Sequence, residues 1–467
     1  MAGNWITSWN PDDSDFWERE GSRIANRNLW ISIPCLLLAF STWVVWSVVV
    51  LKMPQVGFGY TKNQLFMLTA LPNLSGATLR IFYSFMPSLI GGRKWTTLST
   101  ASLLIPSIWL GFALQDPTTP FPVMLIIALL CGFGGGNFSS SMANIAWFFP
   151  KHRKGWANGM NAGLGNLGVS VMQFLVPFVI TVGIFGALGG APQTYVQDGV
   201  THQIWLQNAG FIWVPFVIAA TIAAWFGMND LASAKASVAD QMVIFKRLDN
   251  WLMCWLYLGT FGSFIGFSAG FALLSKTQFP GVDVTHLAFI GPLIGAVIRP
   301  VGGTISDKLH GGARVTLWVF VLMALAILGV LHFLPTTGAD GNPVGGHFWG
   351  FFLMFQALFL LSGIGNGSTY KMIPVIFPKL TRMEAQGKGD AALKQAELDG
   401  ALESSAAGGF ISAIGAYGGY FIPQSFGYSM QTTGSAQTAL YLFVVFYVTC
   451  VLLTWWRYAR RSAPMPC

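Results

Sequence analysis

The sequence predicts an all-α polytopic membrane protein with twelve transmembrane helices in two parallel six-helix repeats. Three observations predict it. Charge is scarce: 9% of the 467 residues are Asp, Glu, Lys or Arg and 53% are hydrophobic, whereas a soluble domain carries about 25% charged residues. Such a chain cannot cover a water-facing surface, and it is too hydrophobic for disorder. Apolar runs of about 18 or more residues recur along its whole length. Finally, motifs in the first half return, in order, in the second.

The runs place spans 1 to 6 near 30–51, 63–90, 96–114, 121–148, 157–184 and 207–228. Spans 7 to 12 follow near 250–274, 285–305, 314–334, 347–375, 403–426 and 437–456. Helices are expected because a lipid-exposed backbone must satisfy its own polar groups, and ten-residue alternating strands are missing from the spans. Basic residues set the topology. Arg19, Arg23 and Arg27 precede span 1, Arg93 and Lys94 follow span 2, and Lys151, Arg153 and Lys154 follow span 4. Lys235, Lys246 and Arg247 lie between spans 6 and 7, and Lys308 and Arg314 between 8 and 9. Lys379, Arg382, Lys388 and Lys394 separate spans 10 and 11, and Arg457, Arg460 and Arg461 close the chain. All fall on one side, against Lys52, Lys62 and Lys276 on the other. Both termini are therefore expected in the cytoplasm. The net charge of +8 belongs to these loops and does not indicate nucleic-acid binding.

The repeat is visible span by span. LPNLSGATLR (71–80) of span 2 aligns with IGPLIGAVIR (290–299) of span 8. Span 4 runs from GFGGG (132–136) into FFPK, and span 10 from GIGNG (363–367) into IFPK. GLGNLG (163–168) of span 5 matches AIGAYG (413–418) of span 11. The chain therefore divides into a first half, 1–228, a charged linker, 229–249, and a second half, 250–467. Two such parallel halves are the signature of the major facilitator architecture.

Three basic residues fall inside spans: Arg80, Arg299 and Lys371. No acid lies in a span interior; Glu403 sits at the mouth of span 11 and Asp307 just beyond span 8. An arginine at the bilayer centre costs about 2.5–3.5 kcal/mol on insertion scales. Arg80 and Arg299 occupy equivalent repeat positions, each twelve residues before a turn glycine, Gly92 or Gly311. That is about 18 Å of helix, too deep for easy snorkelling. Both are flanked by small or polar residues, so each is expected to face a central cavity. Lys371 lies close to Lys379 and is read as snorkelling to the interface.

Two fixed positive charges without a carboxylate require a mobile counter-ion. Guanidinium is planar and stays charged when desolvated, so a small planar oxyanion suits it. Phe40, Phe138, Tyr257 and Phe261 supply candidate aromatic walls, and Asn166 a neutral amide. The glycines of spans 4, 5 and 11 permit close helix approach and movement. All six histidines fall in loops or near span ends, leaving no obvious proton relay. An empty cavity would hold two repelling arginines, which favours obligatory anion exchange. The five cysteines have no metal-ligand or redox spacing and read as small hydrophobes. No cofactor is expected. The N-terminus, with Asp12, Asp13, Asp15, Glu18 and Glu20, does not read as a cleavable signal peptide.

Over nearly its whole length the sequence resembles the NarK-type nitrate/nitrite porters of the major facilitator superfamily. The resemblance is carried by W-x-P-x-D…F-W…R-I-A-N-R-N-L-W from Trp9 to Trp30, FMLTALPNLSGATLR (66–80) and GGGNFSSSMANI (134–145). NAGLGNLGVSVMQF (161–174), YLGTFGSFIGFSAGF (257–271) and GFISAIGAYGGYFIP (409–423) continue it. It implies that Arg80 and Arg299 clamp the anion and that Tyr257 and Asn166 hydrogen-bond it. Phe138 and Phe261 would sandwich its plane, and Gly409 and Ser412 would line the span 11 side. Porters of this type import nitrate and export nitrite across a bacterial inner membrane. A monomer surrounded by membrane lipid is the expected functional unit. Proton- or cation-coupled nitrate/nitrite symport by the same fold is the alternative. One departure stands out: the superfamily's loop motif has an Asp three residues before Gly92, and here that residue is Leu89.

Overall fold

The computed structural model describes residues 5–197, 199–232, 242–309, 311–338 and 343–467. Lys235 and His310 lie outside the described residues, as do the side chains of Lys151 and Asp307. Helix occupies each predicted span. Span 1 is Ser22–Val44 continued by Trp46–Lys52, and span 2 is Lys62–Tyr83 followed by Met86–Ile90. Span 3 comprises Gly92–Ala101 and Leu104–Ala113, span 4 Phe121–Phe148, and span 5 Lys151–Val179. Span 6 is Asn208–Phe211 and Trp213–Gly227. Span 7 runs Leu248–Tyr257, through a π-helical turn at Leu258–Gly262, into Ser263–Gln278. Spans 8, 9 and 10 are Ile290–Lys308, Gly312–Phe333 and Phe348–Ala385. Span 11 is Asp390–Ala416 and Gly418–Thr433, and span 12 is Gln437–Thr454. Among the described residues, ten helical runs are long and apolar enough to cross a membrane, and Ile290–Ser306 is a shorter apolar helix.

The helices overrun the apolar runs where charge begins. Span 10 continues past 375 to Ala385, and span 11 starts at Asp390, not near 403. These turns carry Lys379, Arg382, Glu384, Lys394 and Glu397. Hydropathy registers only what fits the hydrocarbon layer, and helix propensity carries the backbone beyond it. Between spans 5 and 6 an antiparallel hairpin, Gln193–Gln197 with Val200–Ile204, adds strands that the apolar runs did not announce.

Helix ends are set by local and by distant partners. Span 2 starts at a capping box: Gln64 N–H donates to Thr61 Oγ1 at 3.3 Å and Thr61 N–H to Gln64 Oε1 at 2.8 Å. Span 3 starts on a distant carboxylate. Asp230, beyond span 6, accepts from Arg93 N–H at 2.8 Å and from Arg93 Nε at 3.1 Å. Asp230 is fully buried. Thus Leu89, which replaces the motif acid, is exposed, and the orphan N–H groups of span 3 are satisfied by a residue far along the chain.

Packing is closest where glycines meet. A Cβ on Gly135 of span 4 would lie 2.8 Å from Gly76 Cα of span 2. Between the first six spans and the last six, contacts gather at the end away from the termini. There Gln173 Nε2 donates to Ser47 Oγ at 2.9 Å and to Ser268 O at 2.8 Å. Phe66 packs on Phe426 with ring centroids 6.3 Å apart, and Phe174 on Phe289 at 5.1 Å. Toward the basic face the spans diverge: Cβ atoms built on Gly155, Gly159 and Gly163 of span 5 would meet open space. The result is a cleft closed at one end and open at the basic one.

Candidate anion site

Arg80 lies at the closed end of the cleft and is fully buried. Its Nε donates to Gly135 O of span 4 at 2.8 Å, and its Nη1 to Ser412 O of span 11 at 3.0 Å. The guanidinium carbon is 5.0, 4.7 and 5.1 Å from the ring centroids of Trp43, Phe138 and Phe261. The Gly76–Gly135 crossing explains the first bond: without side chains, span 4 comes close enough for its carbonyl to meet an arginine one turn further along span 2. Trp43 is fixed in turn by its indole N–H, which donates to Pro72 O at 2.8 Å.

Arg299 is held more loosely. Its Nη2 donates to the Tyr257 hydroxyl at 3.2 Å, and its guanidinium carbon lies 5.9 Å from the Tyr370 ring centroid. Tyr257 precedes the π-helical turn of span 7 and Phe261 lies within it, and their rings are nearly parallel, 5.5 Å apart at 11°. Phe261 also stacks on Phe138 at 6.3 Å and 26°. A continuous aromatic strip therefore joins the two arginines, whose charges act on each other.

Both guanidinium groups keep one nitrogen without a hydrogen-bond partner, Nη2 on Arg80 and Nη1 on Arg299. Among the described residues no ion pair includes either arginine; Arg93, Arg247 and Arg457 pair with Asp230, Glu403 and Asp249 at the basic face. Asn166 of span 5 is buried, and neither atom of its amide has a partner. A buried polar atom left unsatisfied costs about 1–3 kcal/mol, and the two guanidinium nitrogens and the Asn166 amide nitrogen are donors that an acceptor would satisfy.

The expected site residues are thus placed as follows. Arg80, Phe138, Phe261 and the Ser412 carbonyl form one cluster, and Arg299 with Tyr257 the other, linked by the Tyr257–Phe261 stack. Asn166 makes no hydrogen bond to either arginine. Ser412 contributes its backbone, since its hydroxyl donates to Gly409 O at 2.8 Å. Gly409 is partly exposed on the cleft side, with Ser84 Cβ 3.9 Å from where its own Cβ would be. Both phenylalanine rings lie against the Arg80 guanidinium. Phe40 packs edge-on behind Phe138, at 6.1 Å, as support and not as wall. Lys371 is exposed, and its Cε lies 3.6 Å from a Cβ built on Gly303 of span 8. Trp43 and Tyr370 were missed. Their only sequence signal is weak: Tyr370 directly precedes Lys371, and Trp43 follows Phe40 on the same helical face.

This fold and site define a polytopic membrane protein with a buried, cationic, aromatic-walled cleft between two groups of spans. The family model described as Major Facilitator Superfamily matches residues 32–393. The chain is 55% identical to the nitrate/nitrite transporter NarU of Salmonella typhimurium, over 98% of this chain and 96% of that one. It is 40% identical to the probable nitrate/nitrite antiporter NarK2 of Thermus thermophilus, over 100% of this chain and 99% of the other. In fold it is similar to the crystal structure of a D-xylose-proton symporter, with TM-score 0.62 at 15% identity, covering 95% and 98% of the two chains. The chain belongs to the major facilitator superfamily, and within it to the NarK-type nitrate/nitrite porters.

Proposed function

We propose that the protein is a carrier and not an enzyme, exchanging imported nitrate for exported nitrite across a bacterial inner membrane by alternating access. The observation that carries this reading is the pair of buried guanidinium groups, each with one unpartnered nitrogen and neither paired with a carboxylate among the described residues. Nitrate and nitrite are planar and accept hydrogen bonds only in the plane of their oxygens. Arg80 Nη2 and Arg299 Nη1 supply charged donors, and the Asn166 amide and Tyr257 hydroxyl can add neutral ones. The ring strip excludes water, so each charged hydrogen bond is stronger than it would be in solvent.

The same charges support exchange. With no anion present, closing the cleft would press two desolvated cations together. With one bound, closure brings both onto a common counter-ion. The described histidines, His152, His202, His286, His332 and His347, are all exposed and away from the site, so no imidazole relay favours proton coupling. The excess of basic residues makes the termini face cytoplasmic, and the cleft in this structure then opens inward. We take 1–228 and 250–467 as the moving halves, 229–249 as their linker, and a monomer as the working unit.

Purified protein in liposomes loaded with nitrite, or left empty, tests this. Nitrate uptake is expected only with internal nitrite and without a change of internal pH. Uptake into empty vesicles with acidification, or only under a sodium gradient, would instead establish coupled symport.

A further inference from the structure

Behind the anion site, spans 1, 3 and 4 close on a small cavity of about 10 Å³. Its lining is mixed: Cys35 and Leu36 of span 1 face it beside Ser32, and span 3 adds Ser99 and Thr100 and span 4 Asn137 and Ser140. These side chains are buried, Thr100 completely. Asn137 and Ser140 lie one turn apart on the face of span 4 turned away from Phe138. Asn137 Oδ1 in this lining has no partner, and the Thr100 hydroxyl meets only the Cys35 thiol, a weak hydrogen-bonding group. The Asn137 amide nitrogen reaches only Ser99 O, at 3.4 Å.

We propose that this cavity is a hydration site that holds one water molecule between Thr100 Oγ1 and Asn137 Oδ1. The volume is close to the least that admits a single water, and a water there needs two or more polar partners, which Thr100 and Asn137 supply. A water has two protons to give, which suits an amide oxygen and a hydroxyl. A monovalent cation would also meet oxygens here, but the lining contains no carboxylate to repay its desolvation. The Arg80 guanidinium, bonded to Gly135 O only two residues away on span 4, would oppose it further. The site therefore takes a neutral guest and is not a coupling-ion site.

The water matters through span 4. Asn137 adjoins Phe138, and Gly135 supplies the carbonyl that fixes Arg80 Nε. Anchoring Asn137 to span 3 holds that turn in register with the anion site. Thr100 and Asn137 are thus positioning residues for Arg80 and Phe138. The water itself does not depend on which anion is carried; only the transport readout rests on the proposed exchange.

A high-resolution density map of the full-length protein, in sodium-containing and sodium-free buffer, tests the site directly. One isolated peak is expected within about 2.6–3.2 Å of both Thr100 Oγ1 and Asn137 Oδ1, identical in the two buffers. An empty cavity, or a peak present only with sodium, overturns the proposal. Thr100→Val, which removes the hydroxyl at nearly constant shape, is expected to raise the KM for nitrate several-fold in nitrite-loaded vesicles with a smaller change in maximal rate. Thr100→Ser, which keeps the hydroxyl, should restore it. A Thr100→Val protein with wild-type KM rejects the positioning role. If wild-type protein fails to exchange, the transport reading fails while the density still decides the water.

Discussion

Arg80 and Arg299 are equivalent in the repeat and unequal in their surroundings. Arg80 is fixed by two backbone carbonyls from opposite halves, Gly135 and Ser412, whereas Arg299 is tethered through one tyrosine hydroxyl. Lysine offers a point charge and no planar fork, so the two Lys variants should differ. Arg80→Lys loses the two hydrogen bonds to buried carbonyls as well as the forked contact to the anion, and is expected to lower both thermal stability and exchange. Arg299→Lys should chiefly raise the KM, with about 2 kcal/mol of lost hydrogen bonding equal to roughly a thirtyfold change. Thermal unfolding in detergent alongside exchange kinetics separates the two; identical behaviour of the variants would contradict the asymmetry. The arginines were legible in the sequence because an uncompensated charge in an apolar run has few explanations. Tyr370 and Trp43 were not, because a ring beneath a guanidinium is set by helix crossing, and aromatic residues fill such spans everywhere. Ser412 was legible as a position but not as a carbonyl, since every residue carries one.

At the scale of elements, the apolar runs placed the spans correctly, and errors gathered at their ends. Span 11 begins earlier than its apolar run because its first turns are charged, and span 3 starts where Asp230 caps it, a contact no local pattern contains. Close crossings tie the elements to the site. Gly135→Ala would put a Cβ 2.6 Å from the Trp43 ring and 2.8 Å from Gly76 Cα. Because one contact is backbone, the helices must separate. A cost of about 1–3 kcal/mol is expected, together with loss of the Arg80 Nε bond, seen as a lower unfolding midpoint and weakened exchange. At the basic face Arg247 bonds both Glu403 and Glu384, joining the start of span 7 to spans 10 and 11. Arg247 holds the Glu384 carboxyl below its ordinary range. A depressed carboxylate stabilises the fold above its unfolded pKa, about 4.3, and the contribution fades as pH falls through the lower folded value. Glu384 is largely exposed, so the effect is small. Stability should therefore be flat between about pH 6 and 8, and Glu384→Gln should lessen its decline only below about pH 4. A difference between the two proteins near neutrality would show that the pair acts otherwise.

For the whole molecule, the sequence conveyed the partition of charge and the doubling of the chain, and with them the two groups of spans. It did not convey which end of the cleft is closed, because a carrier's sequence must be compatible with both openings. The contacts away from the termini face supply that information, and alternating access requires that they separate in every cycle. Asn63 on span 2 and Gly427 on span 11 meet there: a Cβ on Gly427 would lie 2.8 Å from Asn63 Oδ1. Cysteines at both positions, as Asn63→Cys with Gly427→Cys, should therefore be joined by a short bifunctional thiol reagent or by oxidation. Four native cysteines, Cys35, Cys131, Cys254 and Cys450, are buried, and the partly exposed Cys467 is replaced by serine in all of these variants. Crosslinking should abolish exchange in vesicles, reductant should restore it after oxidation, and each single variant should resist the treatment. Anion binding from the open side should survive, because the site lies between the bridge and the opening. A crosslinked protein that still exchanges would mean that the far end need not open and that the anion passes by another route. Retained binding with lost exchange would instead assign these contacts to the gate and the arginines to the site.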